Sequence, residues 1–166
     1  MEKKLEVLIV AGSKNDLGEL EAAFLILNKF KVPFEVRVSS AHRTLKRTVK
    51  LIESAEKKGL KVVIAAAGMS AHLPGVIAAL TTVPVIGVPL SSSSLNGLDS
   101  LMSIVQMPSG IPVATMAIGK SGATNAAILS VSILALNNPV LSARLKKYRG
   151  ELEKSVISAD EGINLK

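Results

Sequence analysis

The 166-residue chain contains no cysteine and no tryptophan, and aromatic residues make up only 2% of it. The absence of cysteine excludes disulfides, cysteine nucleophiles and thiolate metal sites. The two histidines, His42 and His72, are far apart in sequence, so a structural zinc site is not expected either. Because 48% of the residues are apolar, the hydrophobic core must consist almost entirely of Val, Ile, Leu and Ala.

Charged side chains are nearly absent from the middle of the chain. Between residues 62 and 143 the only ones are Asp99 and Lys120. Prolines, His72 and a serine run divide this tract into segments shorter than the roughly 20 residues that a membrane span needs, so no membrane partner is expected. Helices that are apolar all round must be buried, and one subunit of this size cannot cover several of them. The tract therefore predicts a homo-oligomer.

The formal net charge of +7 would suit an anionic partner. The Lys and Arg residues are mixed with acids at helix-surface spacing and have no aromatic residues between them, so a solvated basic surface is favoured over nucleic-acid binding. The apolar run that follows Lys4 is only about six residues long and contains Glu6, which is unlike a secretory signal. A cytoplasmic protein is the expectation.

Strand-like and helix-like patterns alternate along the chain. Strands are predicted at 5–10, 34–38, 61–67, 83–88 and 111–118, and helices follow them, one of which extends through Met107. This alternation predicts an α/β fold with a five-stranded parallel sheet covered by helices on both faces. We expect a single catalytic domain over residues 1–166, with its core at about 5–136, a terminal helix at about 139–157 and a frayed end.

Ligands of such sheets bind at the carboxyl ends of the strands, where the strand order reverses. The loops at that edge are 12–16, 39–43, 67–75, 89–99 and 118–125. Both histidines and nearly every Gly–Ser cluster of the sequence fall in these loops. The functional site is therefore predicted at one edge of the sheet.

Two of these loops carry residues suited to an anionic substrate. In GSKND, Gly12 allows a tight turn, and Ser13 with nearby backbone amides can hold an anion; Asp16 is either a helix N-cap or an acceptor for ribose hydroxyls. In SSAHRT, His42 is a candidate general acid or base, because imidazoles generally titrate near neutral pH. Arg43 offers a planar fork for phosphate or carboxylate. The alternative is a surface histidine beside an ion-paired arginine.

The remaining loops are less specific. His72, in AAAGMSAHLPG, is interpreted as a buried, hydrogen-bonded histidine in a tight connection. The serine run at 91–94 is typical of a mobile loop or lid, and GKSGATN is either a second anion nest or a helix cap through Ser121. Without a Ser–His–Asp set, a carboxylate pair or an HExxH motif, these residues favour proton-coupled rearrangement or lyase chemistry on a small phosphorylated molecule, without a metal or redox cofactor.

Several segments together resemble one family, N5-carboxyaminoimidazole ribonucleotide mutase of purine biosynthesis. The resemblance runs from about Val7 to Leu136 and is carried by GSKND, SSAHRT, AAAGMSAHLPG and GVPLSSSSLNGLDSLMSIVQMPSGIPVATMAIG. It implies a flavodoxin-like three-layer fold, a homo-octamer, a phosphorylated imidazole ribonucleotide as substrate, and no cofactor. In this chemistry the N5-carboxylate leaves as carbon dioxide and is recaptured at C4 of the imidazole.

The resemblance also implies roles for individual residues. His42 would be the catalytic acid and base, Ser13 and Asp16 would bind the ribose 5-phosphate part, and Arg43 its phosphate. The full set of substrate-binding residues that it implies is Ser13, Asp16, Ser40, Ala41, Arg43, Gly68, Met69, Ser70, His72 and Leu73.

The chain departs from the family pattern at a few positions. Asn15 stands where the family has serine, and Leu45 where it has proline. In the third loop Ala66, Met69 and Ser70 replace glycine, glycine and alanine, so the Met69 side chain is expected either to crowd the site or to change the loop path. The alternatives left open are direct carboxylation of aminoimidazole ribonucleotide and a non-catalytic nucleotide-binding module.

Overall fold

A computed structural model describes residues 4–163. In this part of the chain strands and helices alternate in the order β1 Val7–Ala11, α1 Leu17–Phe30, β2 Phe34–Val38, α2 Leu45–Lys57, β3 Val62–Ala67, α3 Leu73–Ala78, β4 Val85–Pro89, α4 Leu98–Val105, β5 Ala114–Thr115, α5 Gly119–Ala135 and α6 Pro139–Glu161. A short 3-10 turn, Lys14–Asp16, precedes α1.

The five strands form one parallel sheet in the order β2-β1-β3-β4-β5. The prediction of a flavodoxin-like three-layer α/β fold is confirmed. The chain moves outward from β1 to β2 and then crosses back to β3 on the other side, so the strand order reverses between β1 and β3. The loops that leave these two strands therefore diverge and open a crevice at the carboxyl edge of the sheet.

Alternate residues of β1 serve two separate hydrophobic cores. Val7, Ile9 and Ala11 pack on the side that holds α1, α5 and the start of α6. Leu8 and Val10 pack on the side that holds α2, α3 and α4. Every residue of β1 and β3 is buried, and truncating such a core side chain to alanine typically costs about 2–5 kcal/mol. The strands thus provide a rigid base for the loops at their ends.

The fifth strand is much shorter than the sequence predicted. The expected range was 111–118, but only Ala114–Thr115 pairs with β4. Pro112 has no backbone N–H to donate, and proline is tolerated in sheets mainly at edges and strand starts. The first half of the predicted strand therefore cannot join the ladder, and the sheet ends there.

Two predicted helix ends, those of α4 and α6, also differ from the structure. α4 ends at Val105 rather than Met107, and α6 continues to Glu161, beyond the expected end near 157. The Asn138 side chain caps α6 by accepting a hydrogen bond from Leu141 N, and Pro139 occupies its first turn. Although α6 has 23 residues, neither it nor another helix within residues 4–163 is long and apolar enough to cross a membrane.

Candidate active site

A cleft of about 500 Å³ opens at the carboxyl edge of the sheet, across the point where the strand order reverses. Loops from four successive strands supply its walls. The lining residues are Gly12, Ser13, Asp16, Ser40, Ala41, His42, Arg43, Ala67, Gly68, Met69, Ser70, Ala71, Leu73 and Ser92. Every predicted site residue except His72 is among them, so the structure brings together three loops that are far apart in sequence.

Hydroxyl groups hold the SSAHRT loop in one shape. The Thr44 hydroxyl accepts a hydrogen bond from Ser40 N at 2.9 Å and donates one to Ser40 O at 3.0 Å. Below it, the buried Ser39 hydroxyl pairs with that of Thr48 at 2.9 Å, which ties the loop to α2. The loop is therefore fixed at both ends, and the exposed His42 side chain projects from a rigid turn into the cleft.

Arg43 connects the loop after β2 with the loop after β1. Its Nη2 donates to Gly12 O at 3.2 Å, while its Nε lies 3.4 Å from the Ser40 hydroxyl. Within residues 4–163 no carboxylate forms a salt bridge with this guanidinium. The predicted alternative of an ion-paired surface arginine is thus not observed, and the positive charge faces the cleft.

Asp16 lies half-buried on the wall that the loop after β1 forms. It occupies the N-cap position of α1, as one of the two sequence interpretations held, but its side chain makes no capping hydrogen bond there. Burial raises the pKa of this carboxyl, and the nearby Glu19 adds to the rise, while a hydrogen bond from the Ser13 backbone and the charge of Arg43 oppose it. Ser13 itself caps the turn, because its hydroxyl accepts from Asn15 N at 3.2 Å. Asp16 thus lines the cleft with a carboxyl that bonds to the Ser13 backbone and does not cap α1.

The loop after β3 forms the floor of the cleft. Gly68 lies so close to the loop after β4 that a Cβ on it would be 2.5 Å from the Ser92 hydroxyl oxygen. Met69 has a φ of +55°, the left-handed region that favours glycine. Its side chain is 66% exposed and lines the cleft rather than filling it. The loop therefore keeps a glycine-like path at Met69, and the methionine forms part of the rim.

His72 lies outside the cleft lining. Its Nδ1 is 2.5 Å from Ser103 O and must donate to that carbonyl, because a carbonyl oxygen can only accept. The ring also packs against Gly75, where a Cβ would overlap it. The Ser103 hydroxyl in turn donates to Ala71 O at 3.2 Å. His72 thus joins the loop after β3 to α4. The hydrogen bond agrees with the sequence interpretation, but the side chain is half-buried rather than buried.

The serine run is anchored at several points. Ser91 N donates to the Glu19 carboxylate of α1 at 3.2 Å, and the Ser93 hydroxyl donates to Asp99 at 2.6 Å. These contacts bring Ser92 to the cleft wall. In this structure the run forms part of the wall through Ser92, and its mobility stays a prediction.

Sequence reasoning missed four lining residues: Gly12 as a wall, Ala67, Ala71 and Ser92. The serine run and the small residues around Gly68 did indicate that these loops approach the site. The sequence does not show which residue of each run lines the cleft. GKSGATN does not line the cleft, and α5 begins after Ile118 with no side-chain cap, so the Ser121 cap was wrong. Within the described residues no group of three or more His, Asp or Glu side chains is placed to hold a metal ion.

The cleft combines an imidazole, a guanidinium, a carboxyl and several hydroxyls with walls of glycine and alanine. The charged and hydroxyl groups suit the phosphate and sugar of a nucleotide, and the small residues allow a planar ring to approach the backbone closely. The imidazole is the group best suited to move a proton.

Comparison with known proteins identifies the family of this chain. The family model described as AIR carboxylase matches residues 6–155. An N5-carboxyaminoimidazole ribonucleotide mutase of Pyrococcus abyssi is 52% identical over 149 residues, covering 90% of this chain and 84% of that protein. The Escherichia coli protein of the same name is 54% identical over 143 residues, covering 86% and 85%.

Solved structures give the same relationship. The crystal structure of Treponema denticola PurE superposes with a TM-score of 0.88 at 28% sequence identity, covering 98% of this chain and 100% of that one. Its fold is therefore shared over almost the whole length. With a family model that spans most of the chain and relatives above half identity, the chain belongs to the AIR carboxylase family.

Proposed function

We propose that the protein is an isomerase that converts N5-carboxyaminoimidazole ribonucleotide to 4-carboxy-5-aminoimidazole ribonucleotide in purine biosynthesis. The observation that carries this proposal is the single cleft in which His42, Arg43, Ser13 and Asp16 meet around glycine and alanine walls. The names of relatives at 52–54% identity support the same activity.

Arg43, Ser13 and Asp16 bind and orient the substrate in this proposal. The guanidinium of Arg43 takes the phosphate, because a planar fork with free N–H groups matches phosphate oxygens. Asp16 accepts hydrogen bonds from the ribose hydroxyls. Its half-buried carboxylate has no other side-chain partner within residues 4–163, so a sugar would relieve part of its desolvation.

His42 moves the proton in both halves of the reaction. The bond between N5 and the carboxyl carbon breaks, carbon dioxide leaves, and His42 donates a proton to N5. C4 then attacks carbon dioxide, a new C–C bond forms, and His42 takes the C4 proton as the ring regains aromaticity. The imidazole ends in its starting protonation state, so no net proton is consumed.

The walls made by Ala67, Gly68 and Ala71 confine the carbon dioxide beside the ring. Because the carbon dioxide stays beside C4, its recapture is effectively intramolecular rather than a reaction with dilute carbon dioxide from solution. This effect can lower the activation barrier by several kcal/mol. The Met69 side chain at the rim, by contrast, reaches mainly into solvent.

Substrate discrimination tests the proposal against direct carboxylation. Each substrate is supplied with bicarbonate and dissolved carbon dioxide removed, and product formation is followed by absorbance. A mutase turns over the N5-carboxylated nucleotide under these conditions. Product that forms only from aminoimidazole ribonucleotide plus added carbon dioxide would establish the carboxylase instead. Nucleotide binding without turnover of either substrate would establish a non-catalytic binding module.

Self-association belongs to the same proposal. Leu98, Met102 and Val105 are exposed along one side of α4. Leu136 and Val140 are exposed around the start of α6. Exposed apolar surface of this kind is typical of protein interfaces. We expect a cytoplasmic homo-oligomer of eight subunits, the number implied by the resemblance. Light scattering coupled to gel filtration measures it, and a monomer at micromolar concentration would refute it.

A further inference from the structure

A basic groove lies beside the active cleft, on the outer side of β2 and the first turns of α2. It has a volume of about 540 Å³ and is lined by Arg37, Lys46, Arg47, Lys50 and Leu51. Four of its five lining residues are cations. We call these four residues, Arg37, Lys46, Arg47 and Lys50, the basic surface.

The basic surface is continuous with the active cleft. Arg47 also lines a second depression of about 430 Å³, together with Lys14, Arg43 and the loop serines. That depression in turn shares Gly12, Ser13, Ser40 and Arg43 with the active cleft. A row of positive side chains therefore leads from Lys50 through Arg47 to Arg43, at the place proposed for the substrate phosphate.

Local helix energetics do not explain these cations. Lys46 and Arg47 lie in the first turn of α2, where the helix dipole disfavours positive charge and where no acidic residue is present. Lys46 and Lys50 are also like charges four residues apart, a spacing that destabilises a helix by a few tenths of a kcal/mol. These positions lower the stability of α2, so we expect the cations to serve another role, such as binding an anion.

Most of this charge is also uncompensated. Within residues 4–163 the only salt bridge of the basic surface joins Arg37 to Glu35. Arg47 is held in place by a hydrogen bond from its Nε to Val38 O at 3.4 Å, a neutral acceptor that leaves the charge intact. The positive end of the α2 dipole adds to the potential at this location.

We propose that the basic surface captures the phosphate dianion of the substrate in solution and guides it, past Arg47, to Arg43. This inference rests on the proposed function. Charged surfaces next to a cleft raise association rates in this way, and the effect falls steeply with ionic strength. A small ligand fits better than a single-stranded nucleic acid, because no aromatic side chain lines any of the three depressions.

The test compares two double variants with equal charge changes. K46Q/K50Q removes two cations of the basic surface. K57Q/K61Q removes two exposed lysines at the opposite edge of the sheet. Lys57 is the last residue of α2, and Lys61 directly precedes β3. For each variant, kcat, KM and the Kd for aminoimidazole ribonucleotide are measured between 10 and 300 mM salt.

K46Q/K50Q should lose roughly threefold to tenfold in kcat/KM and in affinity at low salt, with kcat unchanged and the difference vanishing at high salt. K57Q/K61Q should follow the wild type. Equal salt dependence in all three proteins would overturn the inference, and so would a loss in kcat alone.

The binding measurement separates this inference from the proposed function. If the wild type turns over neither substrate, a weaker, less salt-dependent Kd in K46Q/K50Q still supports the basic surface. If turnover is normal and the Kd values of all three proteins coincide, the basic surface is refuted and the mutase proposal stands. Binding of an oligonucleotide more tightly than the mononucleotide at 150 mM salt would also refute it.

Discussion

Gly68 and Ser92 meet across the floor of the cleft, where a Cβ on Gly68 would lie 2.5 Å from the Ser92 hydroxyl oxygen. The loops after β3 and β4 are thus in contact at the point where the substrate ring is proposed to lie. Small changes at either residue should be felt at the site.

Gly68→Ala is expected to raise KM up to severalfold, because the new methyl group must displace the Ser92 hydroxyl from its position on the cleft wall. The double variant G68A/S92G should recover much of the loss, since it removes the atom with which the methyl collides. Steady-state kinetics on both proteins measure the effect. A double variant no better than G68A would show that the contact with Ser92 is not the cause.

His42→Asn should lower kcat by about 10²–10⁴-fold, the usual contribution of a general acid–base group. The Kd for aminoimidazole ribonucleotide should change little, because the side chain keeps a similar size and the SSAHRT loop is held by Ser39, Ser40 and Thr44. Full activity in this variant would remove His42 from the mechanism.

Met69→Gly should stabilise the protein by up to about 1 kcal/mol. A left-handed residue other than glycine costs roughly 1–2 kcal/mol, and the greater freedom of glycine in the unfolded chain offsets part of the gain. Met69→Ala should give no such gain, because it keeps the strain at φ +55° and removes only a largely exposed side chain. Thermal unfolding distinguishes the two variants, and equal Tm shifts would contradict the strain explanation.

Asp16→Asn should raise the Tm at pH 7 by a few degrees at most. Since burial raises the pKa of this carboxyl in the folded state, the folded protein binds the proton more tightly than the unfolded chain. Asp16 therefore favours folding at low pH, and this contribution is lost as pH rises through the raised pKa. The advantage of the asparagine should narrow as pH falls toward 4, and a Tm difference that does not change with pH would contradict this explanation.

His72→Asn and His72→Ala separate a structural role from substrate contact. Asparagine can still donate to Ser103 O, whereas alanine leaves that carbonyl without its partner, at a cost of about 1–3 kcal/mol in unfolding free energy. If His72 only joins the loop to α4, His72→Asn should keep most activity and stability. A large rise in KM in a stable His72→Asn protein would instead indicate that Nε2 contacts the substrate.

Much of the fold could be predicted from local patterns. The runs at 34–38 and 61–67 have the composition of buried strands, and the structure has strands there within one residue. The length of β5 could not be predicted from the sequence. The length of an edge strand depends on how many of its backbone groups can form hydrogen bonds with the one strand beside it. Pro112 limits the pairing with β4 to the residues that follow it. This limit can be recognised only once β5 is known to lie beside β4.

Some residues of the candidate site could be predicted from the sequence and others could not. His42, Arg43, Ser13 and Asp16 could be chosen from the sequence because their chemistry is specific and their loops follow strands. His72 looked similar in sequence, yet its imidazole is held by Ser103 outside the cleft lining. Ser92 was hidden in a uniform serine run, and the Glu19 contact that anchors its neighbour Ser91 joins residues 72 positions apart.

The sequence by itself determined the parallel α/β fold, the edge that carries the site, and the types of group available there, because periodicity and loop composition are local properties. Only the tertiary structure decided which side chains share one cleft, that Met69 takes a glycine-like conformation at its rim, and that α2 presents its cations beside it. Those outcomes depend on contacts between loops that meet because β2, β1, β3 and β4 lie side by side in the sheet.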